Sequence, residues 1–143
     1  MNLAFAAAEA AGARGEVPIG AVVVDPAQVV LASAGNWVEA NNDPTAHAEL
    51  LAIRAAGAKV GAPRLVGCDL YVTLEPCPMC ATAASFARLR RVIFAAYDPK
   101  GGGIEHGPRV FSHPTCHHRP EVVGGVEATR AETLLKNFFS VRR

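Results

Sequence analysis

No apolar run in this 143-residue chain reaches the roughly 18 residues that a bilayer crossing needs, so no membrane span is expected. No targeting segment is expected either. The opening MNLAFAAAEAAGARG is rich in alanine, but Glu9 interrupts it and no basic region precedes it. These absences point to a cytoplasmic protein. An excess of charge of one sign is also lacking: the formal net charge of +1 sets up no global basic field, which leaves nucleic-acid binding to a local patch. Internal repeats, linkers and low-complexity stretches are absent, so residues 1–143 read as one domain. Cysteines number only four, and where thiols stay reduced the close pair Cys77 and Cys80 points to metal or redox chemistry rather than a disulfide. What is present is apolar material. Half of the residues are hydrophobic against 19% charged, enough to build a core and to argue against disorder.

Residues 2–14 are strong helix formers that end near Gly15. Ile19–Asp25 is β-branched and apolar, Pro26-Ala27-Gln28 makes a turn, and Val29–Ser33 returns, which predicts a hairpin. A polar loop from Asn36 to Pro44 leads to Thr45, a suitable N-cap for a helix over about 46–57 that stops at Gly57. Asp69–Leu74 reads as a third strand, Pro76 breaks it, and Pro78 opens a helix over about 78–88. Arg91–Ala96 is a fourth strand, residues 97–120 read mostly as loop, and Glu121–Val123 is a short fifth strand. A last helix over about 127–140 places Ala131, Leu134, Leu135 and Phe138 on one inner face. This order predicts an α/β protein, a central sheet with helices on both faces. Some two dozen residues join the last two strands, far more than a hairpin needs and enough for a crossover, so that pair is expected to be parallel.

The chemistry concentrates in His47-Ala48-Glu49 and Pro76-Cys77-Pro78-Met79-Cys80. Zinc binds imidazole nitrogen and thiolate sulfur readily, and three protein ligands leave one tetrahedral position open, as in a catalytic site. Cys77 and Cys80 are three apart at a helix start, so their side chains fall on one side, and the helix N-terminus favours thiolates. His47 lies in the first turn of its own helix, so two helix N-termini converge on one ion. The open position would hold a water whose pKa zinc lowers to about 7. Glu49 sits close enough to serve that water without ligating the metal. A lone C-x-x-C would equally suit a redox pair or a structural zinc site. The two halves together match the H-x-E…P-C-x-x-C signature of zinc deaminases.

The stretches EVPIGAVVV (16–24), DPTAHAE (43–49), LYVTLEPCPMC (70–80), DPK (98–100) and FFSVRR (138–143) resemble the bacterial tRNA adenosine deaminases, over nearly the whole chain. The zinc motifs are shared across the cytidine/deoxycytidylate deaminase superfamily; the TLEPC context, the DPK segment and the FF-x-x-RR tail are more specific. The resemblance implies a three-layer α/β/α cytidine-deaminase-like fold, with a mixed five-stranded sheet whose last two strands are parallel. It implies a homodimer with one zinc ion per subunit that converts the wobble adenosine in the anticodon stem-loop of an arginine tRNA to inosine. Zinc-bound hydroxide would attack C6, Glu49 would shuttle the protons, and ammonia would leave.

By motif match, Asn36 would hydrogen-bond the target base, since an amide both donates and accepts. Asp98 would lie near the ribose, where accepting from a 2′-OH distinguishes RNA from DNA. Lys100 would meet phosphate, His117 stands where some relatives carry Asn in a loop near the anticodon, and Phe139 and Arg142 would face the RNA groove. Four of these have a plainer reading: turn residues at Asn36 and Asp98, solvated cations at Lys100 and Arg142. Phe138 is expected in the core. The scaffold would equally serve a deaminase of guanine or another free base, which needs no RNA groove. A catalytically dead zinc- and RNA-binding subunit would lack the carboxylate that Glu49 supplies, and a structural zinc module conflicts with the open fourth position.

Overall fold

The computed structural model describes residues 1–142, so Arg143 of the FF-x-x-RR tail lies outside the described residues. The elements are α1 (Asn2–Ala13), β1 (Gly20–Val24), β2 (Val30–Gly35), α2 (Ala48–Val60), β3 (Asp69–Leu74), α3 (Pro78–Phe86), β4 (Arg91–Ala96), β5 (Glu121–Val123) and α4 (Ala128–Val141). They form a mixed sheet in the order β2-β1-β3-β4-β5. β1 runs antiparallel to both neighbours, while β3, β4 and β5 are parallel. Arg91 pairs with Glu121, so the long connection is the crossover its length implied.

The sheet is covered on both faces, giving three layers. Ala21 and Val23 of β1 join the core beneath α2 and α3, while Val22 and Val24 point to the α1 side. Every residue of β1 is therefore buried, and the strand reads as a continuous apolar run rather than an alternation. Ala48, Ala52 and Ala56 of α2 are fully buried, as are Ala4, Ala8 and Ala11 of α1, so the helices approach the sheet closely. On α1 the approach demands glycine. A Cβ at Gly20 would run into the Ala4 carbonyl oxygen, and one at Gly35 would come within 2.6 Å of the Ala7 carbonyl oxygen.

Three helix boundaries differ from the sequence reading, each for a local reason. Thr45 does not cap α2, because the Asp43 carboxylate accepts both its backbone N–H (2.8 Å) and its hydroxyl (2.7 Å) in a turn. His47 is the N-cap instead, in extended conformation, and Ala48 is the first helical residue. α2 also continues past Gly57 to Val60 and ends at Gly61, whose φ of 72° is left-handed. α3 stops at Phe86, since Arg88 turns left-handed with φ 59°. In α4 only Ala131 is fully buried, while Leu134, Leu135 and Phe138 are half-buried on the same face.

One ion-pair cluster ties β3 to the start of β4. Asp69 is buried and accepts two bonds from Arg90 (3.0 and 2.6 Å) and one from Arg91 (3.0 Å). Burial pushes its carboxyl upward, but the two guanidiniums outweigh it and hold the pKa below the ordinary value. A depressed carboxyl contributes stability above its unfolded pKa of about 3.9 and loses it as pH falls further. Asp69→Asn is therefore expected to lower Tm at neutral pH, with the gap to the parent narrowing below about pH 4. Thermal melts of both proteins across that range check it; a gap independent of pH would remove the cluster as its cause.

Candidate active site

The site forms where β2 and β3 end and α2 and α3 begin, at the carboxyl edge of these strands, the usual place for ligands in such sheets. Cys77 is the N-cap of α3 with Pro78 at the first helical position, and Cys80 follows within the same turn. His47, the N-cap of α2, projects Nδ1 to 3.6 Å from both the Cys77 and the Cys80 sulfur. The three ligand atoms lie within 4.8 Å of one another, as the sequence reading required. An ion bound tetrahedrally at about 2.0 Å from nitrogen and about 2.3 Å from sulfur would set nitrogen and sulfur about 3.5 Å apart, close to the 3.6 Å found, so the spacing and the donor set fit zinc.

Glu49 sits in the first turn of α2 beside this group and is 4% exposed. Its Oε2 has no hydrogen-bond partner, and burial raises its pKa to about 7. A buried carboxylate oxygen without a partner is costly, and such groups concentrate where a reaction uses them. Cys77 is displaced the other way, lowered to about 4, chiefly by the bond from Cys80 and further by His47, which makes it a ready thiolate.

His47 opens onto a cleft of about 470 Å³ bordered by Ile19, Asn36, Val38, Phe138 and Arg142. Asn36 is 6% exposed and held at three atoms. Its N–H donates to the Ile19 carbonyl (3.2 Å), its carbonyl accepts from Arg14 (2.9 Å), and its Oδ1 accepts the Ala48 N–H (2.8 Å). Asn36 thus satisfies the first backbone donor of α2 from twelve residues away, and Nδ2 is the part of the amide left to face a ligand. Of the six expected substrate-contacting residues, Asn36 and Arg142 border this cleft.

The other four lie elsewhere among the described residues. Asp98 Oδ1 accepts the N–H groups of Lys100 (3.2 Å) and Gly101 (3.0 Å), so the carboxylate holds a turn, with Lys100 exposed at its tip. His117 borders a second cavity of about 380 Å³ against the outer side of α3, with Ser85, Phe86 and Cys116. Phe139 is 47% exposed, while Phe138, expected in the core, is half-buried and borders the cleft. Its ring carries the Arg142 guanidinium at 3.6 Å.

Two buried carboxylates escaped the sequence reading. Glu16 receives the N–H groups of Glu39 (3.1 Å) and Ala40 (2.8 Å) and so shapes the loop after Asn36. Glu75, just before the Pro-Cys step, accepts at Oε1 from the Asp98 N–H (3.1 Å) and from His106 Nδ1 (2.8 Å). Its Oε2 accepts from the N–H groups of Ile104 (3.2 Å), Glu105 (3.0 Å) and His106 (3.1 Å). Burial pushes Glu75 upward, but His106 and the backbone donors prevail and hold its pKa below the usual range. The loop over 98–106 is thereby folded around one side chain beside the first turn of α3.

The cytidine and deoxycytidylate deaminase zinc-binding region matches residues 1–96. A tRNA-specific adenosine deaminase of Agrobacterium fabrum is 52% identical over 143 residues, 100% of this chain and 93% of that protein. The chain belongs to the tRNA-specific adenosine deaminases. A solved structure from studies of A-to-I editing by tRNA:A34 deaminases matches this deaminase with a TM-score of 0.92 at 53% identity, covering 94% of this chain and 97% of that one. A guanine deaminase of Bacillus subtilis matches less of the deaminase: TM-score 0.65 and 42% identity over 67% of this chain and 61% of that one. The α/β/α architecture and the parallel pair at the sheet's end agree with this membership. No helix of the described residues is long and apolar enough to cross a membrane.

Proposed function

We propose that the chain hydrolyses the wobble adenosine of an arginine tRNA anticodon to inosine, as one domain over 1–143, in a cytoplasmic homodimer with one zinc per subunit. The observation that carries the chemistry is the group of His47, Cys77 and Cys80 at zinc spacing, with the unpartnered oxygen of Glu49 buried beside it. Bound zinc supplies the Lewis acidity that activates water for attack at neutral pH. His47, Cys77 and Cys80 hold the ion. Glu49 takes a proton from the attacking water and delivers protons to the ring nitrogen and the leaving amine, so adenosine and water become inosine and ammonia. Asn36 Nδ2 donates to an acceptor on the base, an orientation fixed by the Ala48 N–H on its Oδ1.

The substrate assignment rests on 52% identity over full length to a tRNA-specific adenosine deaminase and 53% to a tRNA:A34 deaminase structure, against lower identity to guanine deaminases, 42% over 67% of the chain for one and 23% over 97% of it for another, which shares the fold alone. Arg142 would meet the RNA at the cleft. Asp98, Lys100, His117 and Phe139 lie off it, and would meet RNA along an extended surface or at a groove shared with a second subunit.

The zinc-loaded protein is expected to form inosine in an arginine tRNA anticodon stem-loop and to leave free guanine, cytosine and adenosine essentially unchanged. Inosine formation and ammonia release, measured side by side on the four substrates, test this. Guanine turnover with none on the hairpin would replace the RNA reading with the free-base one.

A further inference from the structure

Arg14 and Trp37 belong to none of the motifs discussed so far. Arg14 is the C-cap of α1, and Gly15, with φ 89°, then turns the chain into the cleft wall. The Arg14 guanidinium lies 3.8 Å from the centre of the Trp37 ring and donates through Nη2 to the Asn36 carbonyl at 2.9 Å. Trp37 directly follows Asn36 and is 37% exposed, large for an indole beside a cleft. Across Gly15 stands a second pair of the same kind. Arg142 is stacked on Phe138, and a Cβ at Gly15 would lie 4.0 Å from its Nη2.

Two exposed guanidiniums thus flank one glycine, each with its central carbon over an aromatic ring, at 3.8 and 3.6 Å from the ring centres. Neither forms a salt bridge among the described residues, whereas Arg90, Arg91 and Arg130 do. The carboxylates nearby do not supply a partner. Glu16 is turned inward onto two backbone N–H groups, and exposed Glu39 sets one charge against two. Each guanidinium spends one nitrogen within the chain, Arg14 Nη2 on the Asn36 carbonyl and Arg142 Nη1 on the Phe138 carbonyl at 3.2 Å. That bond and the ring contact remove side-chain freedom before any ligand arrives, and the remaining N–H groups of each fork are left for a phosphodiester oxygen.

We propose that Arg14 on Trp37, together with Arg142 on Phe138, forms a two-guanidinium clamp that grips the RNA backbone phosphates flanking the nucleotide in the cleft. The clamp rests on the RNA reading of the same cleft. It adds a contact from the end of α1, in the N-terminal part of the chain, that sets affinity for RNA over a free base. A free base has no phosphate to grip, so the clamp separates the two substrate classes at the binding step.

The test uses the full zinc-loaded chain and the fluorescently labelled anticodon hairpin. Anisotropy gives the dissociation constant across a salt series, and single-turnover inosine formation is read in parallel. For Arg14→Gln the dissociation constant is expected to rise about tenfold, and the slope of its logarithm against log salt to fall by about 0.7–0.9, one phosphate contact. The loss should fall on the half-saturating RNA concentration rather than on the saturated rate. Arg14→Lys should recover the salt slope but only part of the affinity, because the ammonium cannot reproduce the stacked fork. If Arg14 served only to hold Asn36, Arg14→Gln would lower the saturated rate and leave the slope unchanged, which would overturn the clamp even with inosine formed. Binding with the reduced slope in Arg14→Gln supports the clamp whether or not the hairpin is deaminated. Hairpin binding without turnover by the parent therefore counts against the deamination reading alone.

Discussion

Glu49→Gln is expected to lower turnover by roughly 10²–10⁴-fold while zinc stays bound. Glutamine fills the same space but cannot take the water's proton or hand one to the leaving amine. The ligand atoms of His47, Cys77 and Cys80 are untouched by the change, so metal content should match the parent. Stability should not fall. Burial already opposes the charged form of Glu49, and its Oε2 makes no hydrogen bond that the substitution would break. Neutralising a buried carboxylate that burial already disfavours should cost little stability, and groups placed for reaction are often held at a cost to stability. The combined expectation is a folded, zinc-loaded, inactive protein with a Tm at or above that of the parent. Single-turnover inosine formation, metal analysis and thermal melting check the three parts. A near-parental rate would remove Glu49 from the proton path, and zinc loss would make it a positioning residue for the metal group.

What was legible in the sequence is what chemistry or chain length constrains locally. The ligands of one ion must converge, so H-x-E and P-C-x-x-C at two helix starts were readable, and the 3.6 Å spacings agree with that convergence. The crossover before β5 followed from the number of residues available. What escaped depends on partners distant in sequence. Thr45 has the right side chain for a cap, yet the Asp43 carboxylate takes its hydroxyl, and Asn36 reaches the helix from the end of β2. The half-burial of Phe138 against the exposure of Phe139 follows from how α4 meets its neighbours, which helical periodicity alone does not specify. Asp98 looked equally like a turn residue and a ribose contact, and the turn bonds are the ones formed within the chain. Glu75 left one usable signal. A long glycine-rich connection must satisfy its own backbone N–H groups, and a carboxylate at the end of the preceding strand is a candidate acceptor.

That acceptor gives the largest expected effect on the fold around the site. Glu75 is 2% exposed and receives four backbone N–H groups and an imidazole. Glu75→Ala leaves those donors without a partner in a partly buried loop, and breaking a buried charge network of this kind costs about 3–5 kcal/mol. At about 2–4 °C per kcal/mol for a chain near this size, Tm should drop by roughly 10 °C. Glu75→Gln should give a large share of that loss, because one oxygen becomes an NH₂ group facing N–H donors. The damage should also reach the metal group. The Gly103 N–H donates to the Pro76 carbonyl at 2.8 Å, and a Cβ at Gly103 would lie 2.5 Å from the Pro78 nitrogen, so the loop rests directly on the turn that presents Cys77. Once Glu75 no longer folds the loop, that turn loses its cover, and zinc should pass to a competing chelator faster than in the parent at temperatures well below either Tm. Thermal melting and the rate of zinc transfer, measured on both variants, test the two halves separately. A Tm within about 2 °C of the parent would show that solvent satisfies the loop's N–H groups as well as the carboxylate does, since such a shift corresponds to about 1 kcal/mol or less. A large Tm drop with an unchanged zinc transfer rate would confine Glu75 to the loop and leave Cys77 held by α3 alone.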